Sequence, residues 1–259
     1  MNQRLVDVNV YLSRWPCRRF PHDEPQRLVE KLRASGVSEA WAGSFDALLH
    51  KDIRAVNARL VELCKKYGKG LLKPVGAVNP QLPGWRDDLE ECHSRYQMHA
   101  IRLHPNYHGY ELSDRSLQEL VQLANERKLI LQIAVRMEDT RTQHPLLKVA
   151  DVDAAPLLDL LQQYPNLQVI FLNAMRSLPS QQSEQLAGSG KVFFETAMLE
   201  GVGGISELLQ TLPLDRILFG SYFPFFYLES ALLKLRESSL GGIEREAIML
   251  RNSEKLMRE

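Results

Sequence analysis

Short β-rich apolar runs alternate with helix-spaced segments along the whole chain, and this alternation restricts the fold more than any other feature. The runs are 5–12 (LVDVNVYL), 39–42 (EAWA), 71–78 (LLKPVGAV), 100–104 (AIRLH), 129–135 (LILQIAV), 167–172 (LQVIFL), 192–195 (VFFE) and 217–220 (ILFG). Helical spacing occupies 24–35, 52–67, 85–96, 114–127, 156–164, 179–187 and 203–212 between them, and two more helices, 228–237 and 244–257, follow the last run. Gly36, Gly68 and Pro165 stand where helices should stop, and Asp114 is placed to cap the helix that follows it. Eight strand-helix alternations in 259 residues predict a closed parallel α/β fold, a (β/α)8 TIM barrel forming a single domain over 1–259. An open doubly wound sheet is the competing arrangement, disfavoured because no glycine-rich phosphate turn follows the first strand.

Charge narrows the partners. With 32 Lys and Arg against 32 Asp and Glu, the chain lacks the basic excess that holds nucleic acid or an anionic membrane surface. No apolar run approaches the roughly 20 residues that span a bilayer, and the start MNQRLVDVNV lacks the apolar core of a signal peptide. Cys17, Cys64 and Cys92 are too few and too scattered for a disulfide framework or a thiolate metal site, so a cytoplasmic protein is expected. Cys17 lies beside Arg18 and Arg19, yet no base is identifiable to activate it.

A (β/α)8 barrel carries its chemistry at the C-terminal ends of its strands. Period-two alternation puts Asp7, Asn9 and Tyr11 on one side of the first strand, Arg102 and His104 on one side of the fourth, and Gln132 and Ala134 on one side of the fifth. Asn173 ends the sixth strand, Glu195 lies in the seventh, and Tyr222 follows the eighth. Loops around the same mouth supply Trp15, Arg18, Arg19 and His22 after the first strand, and Arg136, Glu138, Asp139, Arg141 and His144 after the fifth. These give a basic lining suited to an anionic small molecule wherever the arginines are not internally paired. His22, His50, His93 and His99 read as solvated residues of loops and helix faces. His104 and His108 are four apart, a metal spacing on a helix, but Pro105 argues against a helix there.

Six segments, in order, resemble the amidohydrolase-related superfamily, in the branch of aminocarboxymuconate-semialdehyde decarboxylase, aromatic-acid decarboxylases and small lactone hydrolases. They are VDVNVYL (6–12), VGAVNP (75–80), IRLHP (101–105), PLLDLLQQYPNLQVIFLNAM (156–175), RILFGSYFPF (216–225) and EAIMLRNSEKLM (246–257). The resemblance implies a TIM barrel holding a divalent metal, usually zinc, and makes a homodimer the expected assembly. The family's first-strand histidines fall on Asn9 and Tyr11, its fifth-strand histidine at Ala134, its sixth-strand histidine on Asn173 and its eighth-strand aspartate on Tyr222. All are poor zinc ligands, so no metal and no other cofactor is expected.

Two functions follow. In the first, a metal-independent hydrolase or decarboxylase-like enzyme acts on a small carboxylate. His104 and Glu195 would move protons, Arg102 or Arg136 would hold the acid, and Asn9, Tyr11, Gln132, Asn173 and Tyr222 would line the substrate site. In the second, the polar strand-end residues satisfy one another, and the barrel is catalytically inactive and binds a metabolite or a protein partner. A hydrolase whose metal uses unexpected ligands is a third possibility.

Overall fold

The computed structural model describes residues 4–258. Its strands are β1 (Leu5–Leu12), β2 (Val37–Ser44), β3 (Leu72–Pro74), β4 (Gly76–Ala77), β5 (Ala100–Leu103), β6 (Ile130–Ala134), β7 (Gln168–Leu172), β8 (Lys191–Glu195) and β9 (Ile217–Leu218). Every neighbouring pair is parallel, in the orders β1-β2-β3 and β4 through β9. β3 and β4 are two halves of one stave, joined at Val75, whose N–H donates to the Ala42 carbonyl at 2.9 Å. The last stave returns to the first through Val8 N–H to Phe219 O at 3.0 Å, Tyr222 N–H to Asn9 O at 2.8 Å and Tyr11 N–H to Phe223 O at 2.9 Å. Eight staves therefore close into a (β/α)8 barrel, and the open sheet is excluded.

Each sequence run becomes a stave because its alternate apolar residues serve two cores. Leu103, Ile133, Phe171 and Phe194 face outward and pack with helix residues such as Leu28, Leu117, Leu120 and Leu161. Val6, Val8, Trp41, Ile130, Ile170 and Leu218 fill the bottom of the interior, and Leu256 of the last helix covers them. The top of the interior is aromatic, with Tyr11, Trp15, Phe45 and Tyr222. Between the apolar floor and the aromatic cap lies a polar layer, which is the candidate site. Among the described residues, no helix is long and apolar enough to cross a membrane.

Three local expectations need correction. Asp7 does not share a face with Asn9 and Tyr11. Val6 and Val8 pack inward and Val10 outward, so the alternation changes phase at the register shift between Asp7 and Val10, as at a β-bulge. Pro105 does not prevent a helix; it opens the single turn Pro105–His108, at the first position, where a missing N–H costs nothing. Asp114 stands at the N-cap of helix Arg115–Glu126, but its carboxylate accepts the Glu111 N–H at 3.2 Å instead of a first-turn N–H.

The short β4 needs a substitute partner where the stave is broken. Asn57, buried on helix Ile53–Leu63, accepts the Ala77 N–H at 2.8 Å and donates to the Ala77 carbonyl at 2.9 Å, imitating a strand edge. Asn57→Ala leaves both backbone groups buried and unpaired, so urea denaturation should show a loss of about 2 kcal/mol. An unchanged midpoint and slope would refute this role for Asn57.

Candidate functional site

Arg102 is the centre of the polar layer. β5 turns Ile101 and Leu103 outward, which sends Arg102 into the barrel. Its Nε donates to Gln132 Oε1 at 2.7 Å, Nη1 to Val10 O at 2.9 Å, and Nη2 to Val8 O at 3.3 Å and Trp41 O at 3.2 Å. Its guanidinium carbon lies 4.3 Å from the centre of the Tyr11 ring, a cation–π distance. Gly43 makes the room: a Cβ there would meet Nη1 at 2.7 Å. Burying a guanidinium costs several kcal/mol, and here charge-assisted hydrogen bonds to neutral acceptors and the tyrosine face offset that cost. Among the described residues Arg102 forms no ion pair, and four of its five N–H donors, which a clamp on a substrate acid would need, are engaged within the barrel.

Glu195 organises the opposite side. Its Oε1 accepts the Asn173 N–H at 2.6 Å and Asn9 Nδ2 at 3.2 Å, and its Oε2 accepts the Ala197 N–H at 2.5 Å. Asn9 Nδ2 also donates to Asn173 Oδ1 at 2.9 Å, and Asn173 Nδ2 donates to the Arg136 carbonyl at 2.8 Å. Burial pushes the Glu195 carboxyl up, against these N–H donors, which favour its charged form. Gly220 is required beside it, because a Cβ there would lie 2.2 Å from Oε2. Asp7 Oδ1 accepts the N–H groups of Asn9 at 3.1 Å and Ser221 at 3.0 Å, while Oδ2 has no partner. Burial raises the Asp7 carboxyl to about 7.

His104 meets the Tyr11 hydroxyl at 3.1 Å through Nε2, and burial, with His108 and Arg102 nearby, holds it well below the ordinary imidazole range and therefore neutral. The His108 and His104 ring centres are 5.7 Å apart, and His108 Nε2 lies 2.9 Å from Ala47 O. Tyr222 donates to the Met137 carbonyl at 2.7 Å. Asn173 and Tyr222 both have left-handed backbone, with φ of 57° and 56°, an arrangement unusual for tyrosine. Above them Tyr11 stacks on Phe45 at 4.5 Å, Tyr222 stacks on Phe225 at 4.8 Å, and Trp15 meets both phenylalanines edge-on.

The sequence therefore brings Asn9, Tyr11, Arg102, His104, Gln132, Asn173, Glu195 and Tyr222 into one layer, and each is at most 1% exposed. Arg136 lies outside it on the rim, bonded to Asp151 through both guanidinium and carboxylate. The other rim arginines are paired too: Arg18 with Glu138 at 2.9 Å, Arg19 with Asp23 at 2.6 Å, and Arg141 with Asp139 at 2.8 Å. The expected open basic lining is thus closed by local ion pairs. His99 is half-buried, edge-on to Trp41 at 4.6 Å with Nε2 out of solvent, and burial lowers it to about 4. Sequence reading missed Phe45, Met137 and the two close-approach glycines. It also missed Lys234, an amine on an amphipathic helix with no motif to mark it. Among the described residues no three His, Cys, Asp or Glu side chains converge in a metal-holding group.

A closed parallel barrel with inward strand-end side chains under its C-terminal mouth is the architecture of a large class of TIM-barrel enzymes. The amidohydrolase family profile matches residues 17–258, and the chain belongs to that family. Comparison with curated proteins finds no significant match. Among solved structures it is similar to 5-carboxyvanillate decarboxylase from Sphingomonas paucimobilis, with a TM-score of 0.77, 10% identity and 99% of each chain covered. It is similar also to a dihydroxybenzoic acid decarboxylase from Polaromonas sp. JS666 with bound manganese, with a TM-score of 0.77, 12% identity, and 99% of this chain and 97% of that one covered. The 2,6-dihydroxybenzoate decarboxylase from Rhizobium gives 0.73 at 13% identity, with 97% and 99% covered. At these identities the likeness is one of fold.

Two measurements test the layer. Arg102→Lys should lose about 3 kcal/mol in denaturant titration, because three ammonium donors cannot replace a planar fork reaching Gln132 and three carbonyls. A loss within error of zero would show that the fork is dispensable. Asp7 predicts a pH dependence: its folded pKa, about 7, exceeds the unfolded value near 3.8. Its contribution is therefore full below about pH 4 and is lost as pH rises through about 7. Asp7→Asn should flatten that part of the stability profile, and an identical profile in the variant would contradict the assignment.

Proposed function

We propose that the barrel centre of this chain is a structural core and that the protein is a non-catalytic, ligand-binding member of the amidohydrolase family. The observation that carries this reading is the state of the strand-end residues: buried beneath an aromatic cap, they are bonded to one another and to the backbone. Of the two functions the sequence allows, this supports the catalytically inactive barrel over the metal-independent enzyme. The enzyme would need its substrate to reach His104 and Glu195 through Tyr11, Phe45 and Tyr222.

The donor set speaks against a divalent metal. Zinc favours imidazole, thiolate and carboxylate, and manganese favours carboxylate and imidazole. The residues at the family's positions are Asn9, Tyr11, Ala134, Asn173 and Tyr222. Asn9 Oδ1 is buried without a partner among the described residues, but one amide oxygen beside a Glu195 carboxylate that already accepts three N–H bonds is not a ligand set for either ion.

The test is direct. Protein incubated with Zn²⁺ or Mn²⁺ and freed of excess should retain far less than one equivalent by elemental analysis. It should not release CO₂ from 2,6-dihydroxybenzoate or 5-carboxyvanillate. One bound equivalent that disappears in Asn173→Ala, or turnover abolished by His104→Ala, would overturn the proposal.

A further inference from the structure

Among the loops that follow the strands, and bordered by residues of the aromatic cap, lies a groove of about 690 Å³ that none of the polar-layer side chains lines. It is lined by Met198 and Leu199 of the segment that follows β8 and by Phe225 and Phe226 after β9. Leu233 and Lys234 of helix Leu228–Glu237 line it too, as do Arg18, Arg136 and Arg176. This volume is typical of small-molecule sites.

The cations of this groove are not equivalent. Arg18 is paired with Glu138, Arg136 with Asp151, and Arg176 with Glu200 at 3.0 Å and Asp139 at 3.4 Å. Among the described residues Lys234 has no carboxylate partner at ion-pair distance. Its Nζ is held by two backbone carbonyls, Thr196 at 3.1 Å and Ala197 at a shorter distance. Those bonds use two of its three N–H donors and leave the third without a protein acceptor. The side chain is largely buried, and desolvation lowers its pKa although Glu195, Glu200 and Glu237 oppose the shift. An ammonium fixed in place, largely desolvated and with one N–H turned from the protein, is a ready donor to an anion that enters the groove.

From this geometry we infer that the groove is a binding site for a small amphipathic monoanion, with its acidic head on Lys234 and its apolar body against Phe225, Phe226 and Met198. A single charge is specified because Arg18, Arg136 and Arg176 are already matched by carboxylates, which leaves the one ammonium of Lys234 to take the head, with Glu237 also lining the groove. A flat or branched apolar body is specified because the walls are two phenylalanine rings, Met198, Leu199 and Leu233. The site is separate from the polar layer but rests on the proposed function, since it supplies the ligand site of a barrel whose centre is closed.

Benzoate is the probe, with cyclohexanecarboxylate as its branched counterpart, benzamide as the uncharged control and phthalate as the dianion. Calorimetric titration of the intact protein should show benzoate or cyclohexanecarboxylate binding, with benzamide and phthalate at least about tenfold weaker. Lys234→Met should reduce the affinity for the monoanion at least about tenfold, and Lys234→Arg should restore part of it. Lys234 also supports two backbone carbonyls, so a second variant guards against misfolding: Ser230→Trp, at an exposed groove position, should fill the groove and abolish binding with Lys234 intact. Absence of binding by either acid up to about 10 mM would overturn the inference. So would affinity unchanged in both folded variants. Acid binding lost in His104→Ala but kept in Lys234→Met would place the ligand in the barrel centre and refute this inference and the proposed function together. Metal-dependent turnover at His104 with Lys234-dependent acid binding intact would refute only the proposed function.

Discussion

The guanidinium of Arg102 ties together strands that are far apart in sequence. From β5 it reaches carbonyls of Val8 and Val10 on β1 and Trp41 on β2, and the side chain of Gln132 on β6. A bound metal ion can hold several staves of a barrel by drawing ligands from each; here a covalently attached cation does so with neutral acceptors. The arrangement accounts for much around it. Gly43 must lack a side chain, Tyr11 must lie face-down on the cation, and Gln132 must accept from Arg102 while its amide donates to Val8 O at 3.0 Å. Glu195 is the counterpart on the other half, collecting N–H donors from Asn9, Asn173 and Ala197. The two systems meet at β1, where Val8, Asn9 and Val10 serve one or the other. That strand's irregular register is therefore what lets the neighbours Val8 and Asn9 both face the barrel interior.

Much of this was readable from the sequence, for a physical reason. Strand runs such as LILQIAV and LQVIFL are apolar on both faces because parallel staves are covered on both sides, and that pattern survives without any knowledge of contacts. Period-two alternation likewise placed Arg102 with His104, and Gln132 with Ala134, in the interior. It failed at β1, where a bulge inserts a phase change that residue types do not announce. Nor could pattern decide whether strand-end residues point into a cavity or at each other. Asn9 and Asn173 are equally suited to either, and the answer depends on Phe45 and Phe225, which arrive from other loops to close the space above. Pro105 misled because its position relative to a helix start, and not its presence, decides whether it breaks the turn.

The left-handed backbone at Asn173 and Tyr222 is informative in this light. Asparagine visits that region at modest cost, whereas tyrosine does so only when its surroundings hold it. Tyr222 is held by its bond to the Met137 carbonyl, by stacking on Phe225 and by its own N–H on Asn9 O. These are strand ends at which the family resemblance places metal ligands. The backbone there still aims a side chain at the barrel axis, while the side chain aimed is one whose phenol hydroxyl ends on a carbonyl. Strain at such a position persists because the aromatic cap and the barrel closure both depend on it.

Ala197 connects the closed centre to the open groove. Its N–H is committed to Glu195 inside the barrel and its carbonyl to Lys234 outside, so one peptide segment carries the polar layer on one face and the groove's ammonium on the other. Glu195 and Lys234 consequently stabilise each other's charged forms across it. An anion arriving at Lys234 would compete for that ammonium and withdraw part of its field from Glu195, whose carboxyl is already raised by burial. Coupling of this kind runs through a single backbone segment and needs no change in the barrel. Filling the centre and leaving a lysine at its edge are thus two consequences of the same segment after β8.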